Sequence, residues 1–218
     1  MTAMISVAAL ACLLAATGTA VAQAAPDRAS PWWLHAGPVQ VQFHTKADVR
    51  VGGAPLPGAG VDASSNTTLG LEIGHDMTPN IAARLTIGVP PTTRLSGTGP
   101  LAGAGELGRV KYGPAVLSAT WSFDGLGAFR PYLGAGVNYT IALESPDGAI
   151  TSLKVKNAFG SVLQAGFDMP LGPRWGLFVD VKKVFLKTTA DGWVGPAPAH
   201  ASVQLDPLLI HGGVSYRF

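Results

Sequence analysis

Histidine, cysteine, serine and carboxylate side chains are where catalytic or metal chemistry would reside, and their spacing in this chain excludes most of it. The five histidines are His35, His44, His75, His200 and His211. No two stand at H-x3-H or HExxH spacing, so no metal site is expected. Cys12, the single cysteine, lies in an apolar N-terminal run. A processed chain would lack it, which removes disulfide, zinc-cluster and thiol chemistry. Gly103–Gly108 reads GxGxxG. The dinucleotide fingerprint needs a strand before it and a helix after it; here a Gly/Pro loop precedes it, and a strand-like stretch with Pro114 follows. Ser118, Ser122, Ser161 and Ser215 all lack the GxSxG context of a hydrolase nucleophile. No catalytic residue, cofactor or enzymatic activity is therefore expected. What remains is a set of charges inside apolar segments: Glu72, Arg84, Asp180, Lys182 and Arg217. Buried charges persist only when paired and hydrogen-bonded. Glu72 is expected to pair with Arg84 across a hairpin, and Asp180 with Lys182 or Arg217.

The elements that would hold these charges follow from composition and periodicity. Of 218 residues, 47% are hydrophobic and only 13% charged, about half the usual charged share of ~25%. The 28 glycines and 17 prolines disfavour a helical bundle. The apolar content disfavours disorder, and a net charge of +2 with no Lys/Arg cluster disfavours nucleic acid as a partner. Residues 1–22 read as an export signal, with an apolar run Met4–Ala16 and a small-x-small site at Ala20-Val21-Ala22. A retained anchor is the rival reading, although the run is short for a span of about 20 residues. Residues 23–33 are expected to form a periplasmic segment, and 34–218 the folded body.

Within 34–218 no stretch is long and apolar enough for a helical span, so the hydrophobicity must be spread over strands. Alternation with a period of two recurs eight times. It places Val39, Val41 and Phe43 against Gln40, Gln42 and His44, and Leu69, Leu71 and Ile73 against Gly70, Glu72 and Gly74. Six further segments follow, around Arg84, Ser118, Gly136, Gln164, Asp180 and Gly213. Connections alternate in length. Asp76–Asn80, Asp124–Ala128 and Met169–Arg174 are short and carry turn residues. The stretches 45–66, 90–111, 145–155 and 188–201 are long. Even strand number with alternating short and long connections predicts an all-β fold: an eight-stranded antiparallel up-and-down transmembrane β-barrel. A soluble β-sandwich is the competing architecture.

If the apolar set faces lipid, the polar set lines the interior. Two uses of that interior stay open: a structural ion network filling a narrow barrel, or a gated polar route. Inner-face glycines such as Gly134, Gly136, Gly160, Gly166 and Gly213 are expected to leave local room. Lys183 breaks the pattern; it either snorkels to an interface or marks a bulge.

Phe129-Arg130-Pro131-Tyr132-Leu133-Gly134-Ala135-Gly136-Val137-Asn138-Tyr139-Thr140 resembles a hallmark segment of the OmpW family of small outer-membrane β-barrels. Met77–Ile81, Pro114–Phe123, Gln164–Asp168 with Arg174-Trp175, and Tyr216-Arg217-Phe218 resemble further family segments in order. Pro79 and Lys183 depart from the pattern. The resemblance implies a location in the bacterial outer membrane, with a lipid bilayer, lipopolysaccharide and the barrel-assembly machinery as partners. It also implies a narrow channel or binding site for passive passage of small hydrophobic molecules, with a sideways exit into the bilayer. The alternative is a plugged structural or interaction barrel whose outer loops bind partners such as bacteriocins or host surfaces. The candidate channel or mouth residues are Leu95, Leu101, Leu107, Asn138 and Gln164. Val214, Tyr216 and Phe218 on one face of the last strand are the expected insertion signal. Oligomeric state is left open.

Overall fold

Alternating side chains can satisfy both lipid and a packed interior only if every strand finds two neighbours, and here the sheet closes on itself. The computed structural model describes residues 30–218; the expected export signal lies outside the described residues. The strands are β1 (Trp32–Gln42), β2 (Lys46–Val51), β3 (Ala54–Pro55), β4 (Gly60–Ala63), β5 (Asn66–Asp76), β6 (Ile81–Gly88) and β7 (Thr92–Thr98). They continue as β8 (Glu106–Ser122), β9 (Arg130–Glu144), β10 (Thr151–Val155), β11 (Ala158–Pro170), β12 (Trp175–Val194), β13 (Ala197–Gln204) and β14 (Leu208–Arg217). Eight of them form the barrel, in the order β11-β9-β8-β6-β5-β1-β14-β12, and a β11–β12 ladder closes the ring. All pairings are antiparallel. Closure removes the edges that lipid would leave unsatisfied.

The outer surface carries Leu69, Leu117, Leu133, Leu163 and Trp121, each exposed to the surroundings. For a soluble protein that band would be an aggregation surface; around a closed barrel it is the lipid-facing wall. The short turns and the C-terminus share one end, where Ser30 N donates to the Phe218 carbonyl at 3.1 Å. Trp175, Tyr216 and Phe218 cluster there, with ring centroids 4.8 and 5.3 Å apart, as an interfacial girdle requires.

The four long connections are not open loops. They contain β2, β3, β4, β7, β10 and β13, and β8 and β12 run up into them with 17 and 20 residues. The barrel therefore stands well above the lipid band. On one side the extension is a sheet of β10, β12, β13, β2 and β3. On the other, β4 and β7 lean on β8.

Three expectations need correction. In β1 the phase is inverted: Val39 and Val41 are buried, while Gln40 is exposed. Alternation reveals that a strand has two faces, not which is inside, and the upper interior here is apolar. The inner glycines do not leave empty room. A Cβ on Gly166 would stand 2.6 Å from Cζ of Tyr132, and one on Gly74 would overlap the Trp33 ring. These positions are bare because a large ring occupies the space. Lys183 marks no bulge either, because the β11–β12 register is unbroken across it. Its Nζ donates to the carbonyl of Asp206, at the break between β13 and β14.

Candidate functional site: an apolar cavity above an ion-paired plug

The lower interior is a closed polar network. Glu72, on β5, is fully buried. Its Oε1 accepts from Arg84 Nη1 at 3.0 Å, and its Oε2 accepts from Lys182 Nζ at 2.8 Å and Thr86 Oγ1 at 2.6 Å. Arg84 also donates to Thr120 Oγ1 at 2.9 Å and Asp168 Oδ2 at 3.3 Å. Its guanidinium lies 3.8 Å from the Tyr132 ring centroid and 4.5 Å from that of Trp33. Lys182 bridges Glu72 to Asp180. Asp180 Oδ2 further accepts from Gln164 Nε2 at 2.6 Å and the Tyr132 hydroxyl at 2.8 Å. His35 stacks on Phe178 at 3.9 Å, with its Nε2 3.1 Å from Asp168 Oδ1. Three carboxylates and two permanent cations, tied by hydroxyl and amide donors, bridge the lower barrel, and below them a cavity of about 130 Å³ at the turn end reaches His35, Arg84 and Asp168. The pairings give each ion a counter-charge, the condition for holding charge out of water.

Arg217 is not part of this network. It donates to Asp76 Oδ2 at 2.7 Å at the turn end, half-exposed. In β14, Arg217 lies opposite Trp33, whereas Asp180 lies opposite His211, six residues up the strand. Asp180 is thus out of its reach and pairs with Lys182. Gln164 likewise belongs to the network and not to the mouth. It is level with Gly134 and Lys182, below the row where Asn138 faces Gly160.

Above the network the interior turns apolar. Val39, Val41, Val116, Val162, Val184 and Leu209 pack across the barrel as a floor. Over that floor is a cavity of about 120 Å³, open toward the long-loop end. Leu95, Leu101, Leu107 and Asn138 line it. Leu95 comes from β7, Leu107 from β8 and Leu101 from the 3₁₀ turn Gly99–Ala104. Sequence reasoning missed the other contributors, among them Phe43, Tyr112, Leu153 and Leu186. The sequence reading places Phe43 toward lipid and Leu153 in a long loop, while Tyr112 and Leu186 lie just beyond the strand segments whose alternation is evident. The wall's polar groups are largely engaged: Thr140 Oγ1 donates to Asn138 Oδ1 at 2.9 Å, and Asn138 Nδ2 to the Ala115 carbonyl at 3.3 Å.

A seam interrupts the wall beside the floor. The β6–β8 ladder stops at Ile87–Ala115, and pairing to β8 resumes where Tyr112 N donates to the Pro91 carbonyl at 3.1 Å and Thr92 lies opposite Lys111. Pro90, Pro91 and Pro114 fall in the gap, and none has an N–H to donate. A second cavity of about 30 Å³ sits there, lined by Val39, Gly88, Val89, Pro91, Pro114 and His211, and it shares Val41, Pro114 and Leu209 with the upper one. His211 is buried, and among the described residues neither ring nitrogen has a hydrogen-bond partner.

Comparison with known proteins agrees with this architecture. A family model described as OmpW family matches residues 31–218. The dibenzothiophene metabolism operon protein PahQ of Pseudomonas aeruginosa is 38% identical over 189 residues, covering 87% of this chain and 89% of that protein. Outer membrane protein AlkL of Ectopseudomonas oleovorans is 34% identical over 171 residues, covering 78% of this chain and 74% of that protein. Among solved structures, the crystal structure of OprG from Pseudomonas aeruginosa shares the fold, with a TM-score of 0.81 at 24% identity over 87% of this chain and 97% of that one. The solid-state NMR structure of AlkL in DMPC bilayers gives 0.70 at 29% identity over 93% and 97%. The closed lipid-banded barrel, the family match over nearly every described residue and these relatives together show that the chain belongs to the OmpW family and is a protein of the bacterial outer membrane.

Proposed function

We propose that the barrel passes small hydrophobic molecules passively from the outside into the outer membrane. The observation that carries this reading is an apolar cavity open at the top and closed below by buried ion pairs. An apolar solute gains by entering such a wall, but would lose by crossing a charged plug. The seam between β6 and β8 offers the way out, sideways into lipid. A cavity of about 120 Å³ is slightly smaller than the ~150 Å³ apolar cavity that accepts benzene, so a single-ring arene or a short alkyl chain fits it, and a two-ring arene reaches out of it into the mouth. Two relatives carry a dibenzothiophene metabolism operon in their names, in keeping with an aromatic cargo. The same reading takes residues 1–22 as the export signal and Val214, Tyr216 and Phe218 as the signal read by the barrel-assembly machinery. It takes the residues from 23 to the start of β1 at Trp32 as a periplasmic segment, shorter than the expected 23–33 because Trp32 and Trp33 belong to the barrel.

The paired plug also favours a second reading, a closed barrel that only displays its extracellular strands to partners. Transfer of naphthalene into vesicles with a lipopolysaccharide outer leaflet separates the two. Under the transport reading the protein accelerates naphthalene entry and not that of a sugar of similar size, and Leu101→Trp in the mouth removes most of the gain. Equal naphthalene entry with and without protein would overturn it.

A further inference from the structure

His211 stands where the two halves of the interior meet. On β14 it lies opposite Val39 of the apolar floor on one side and Asp180 of the ionic network on the other. The side chain is 1% exposed, and among the described residues neither ring nitrogen has a hydrogen-bond partner. The network's carboxylates are taken. Asp180 accepts from Lys182, Gln164 and Tyr132, and Glu72 from Arg84, Lys182 and Thr86. The ring of His211 packs edge-on to Phe178, with centroids 4.6 Å apart, a contact that a phenyl ring would make as well. Burying two unpaired nitrogens costs free energy that phenylalanine at this position would avoid. Packing alone therefore does not account for a histidine here.

The free edge of the ring faces the seam. A Cβ on Gly70 would stand 3.1 Å from Nε2 of His211 and 3.3 Å from Cε1, so the outer edge of the imidazole rests over bare backbone of β5. Gly70 lies opposite Gly88 of β6, and Gly88 and His211 both line the seam cavity of about 30 Å³. A space of that size takes one hydroxyl-sized group. The pocket's other polar side chains are already engaged. Thr86 Oγ1 donates to Glu72 at 2.6 Å, Thr68 Oγ1 donates to the Val89 carbonyl at 2.7 Å, and Lys182 is held by Glu72 and Asp180. The pocket shares Val41, Pro114 and Leu209 with the upper cavity, so the two spaces adjoin. Small-molecule sites join an apolar wall to a few placed polar groups that fix orientation. Here the upper cavity is the wall and His211 the polar group.

We propose that His211 is a ligand-binding residue that selects monohydroxylated arenes, phenol and its close relatives, with the hydroxyl in the seam pocket and the ring in the upper cavity. A ring nitrogen that carries a proton donates and one without accepts, whereas a hydroxyl does both. A hydroxyl therefore suits the imidazole in either tautomer. This selection rests on the transport reading above and names a substrate class within it.

The test compares phenol with toluene, which differ by a hydroxyl against a methyl at one position. The protein is extracted from outer membranes into lipid nanodiscs, and binding is measured by equilibrium dialysis, corrected for uptake by protein-free nanodiscs. His211→Phe should weaken phenol binding about five- to tenfold, the loss of one buried hydrogen bond, and change toluene binding by less than about twofold. In wild type labelled with ¹⁵N-histidine, phenol should move the His211 ring resonances several times further than toluene does. This second measurement needs no variant, so it decides the matter if His211→Phe fails to fold. Equal phenol affinity in wild type and variant, equal losses for both ligands, or His211 resonances that respond alike to both would each overturn the proposal. Toluene binding that persists in any of those cases leaves the transport reading standing. Absence of toluene binding to wild type would count against the cavity itself and overturn both.

Discussion

Glu72 holds the plug together, because it alone touches both permanent cations of the lower barrel. Glu72→Ala leaves Arg84 and Lys182 short of a buried counter-charge and should cost roughly 3–5 kcal/mol, read from urea unfolding of the micelle-bound barrel. Arg217→Ala removes an ion pair that is about 30% exposed on both sides and should cost about 1 kcal/mol or less by the same measurement. Equal losses would contradict the distinction between plug and turn. In the loop above the lipid, Asp147 accepts backbone N–H bonds from Ser152 and Leu153, both at 2.8 Å. These bonds hold its carboxyl below the usual range. A lowered folded value means their stabilisation is complete above the ordinary carboxylate pKa of about 4 and is lost as pH falls through the folded value. Protection of residues 147–153 from proteolysis should therefore persist through mild acid, and Asp147→Ala should abolish it at neutral pH. The partner of Glu72 was legible from sequence, because Glu72 and Arg84 flank a short turn. The exclusion of Arg217 was not, since height along a strand cannot be read before the register is known.

At the scale of elements, the seam between β6 and β8 is the feature on which the sideways exit depends. A Cβ on Gly113 would meet only Leu143 Cδ1 and Pro90 Cγ, at 3.8 and 3.9 Å, so a side chain fits there without displacing backbone. Gly113→Trp should cover the seam from outside, slowing naphthalene transfer several-fold while leaving the unfolding midpoint unchanged. Unchanged transfer would argue for another exit. All eight barrel strands were visible as alternation, since each has one face in lipid. The six shorter strands were not. Their segments are rich in Gly and Pro, such as Gly52-Gly53-Ala54-Pro55, and read as loops because their pairing partners are distant in sequence. β1 was assigned the wrong face for a related reason: Val39 and Val41 face other apolar side chains inside, a condition that local pattern does not distinguish from facing lipid.

Over the whole molecule the interior divides into two media, an ionic lower half and an apolar upper half, inside a wall that is apolar throughout its lipid band. Single-strand patterns report the wall and the ionic half well, because polarity reverses between faces there. The apolar half is assembled from many segments far apart in sequence and emerges only when the barrel closes. This division makes the molecule selective by solvent preference: apolar solutes partition into the upper half, and polar ones meet no favourable path through the lower. The most direct test is the rate of naphthalene entry into vesicles with a lipopolysaccharide outer leaflet, compared with a sugar of similar size and with protein-free vesicles. The structure predicts faster naphthalene entry with protein and no gain for the sugar. Entry of the sugar at a comparable gain, or no gain for naphthalene, would contradict the division of the barrel into an open apolar half and a closed ionic one.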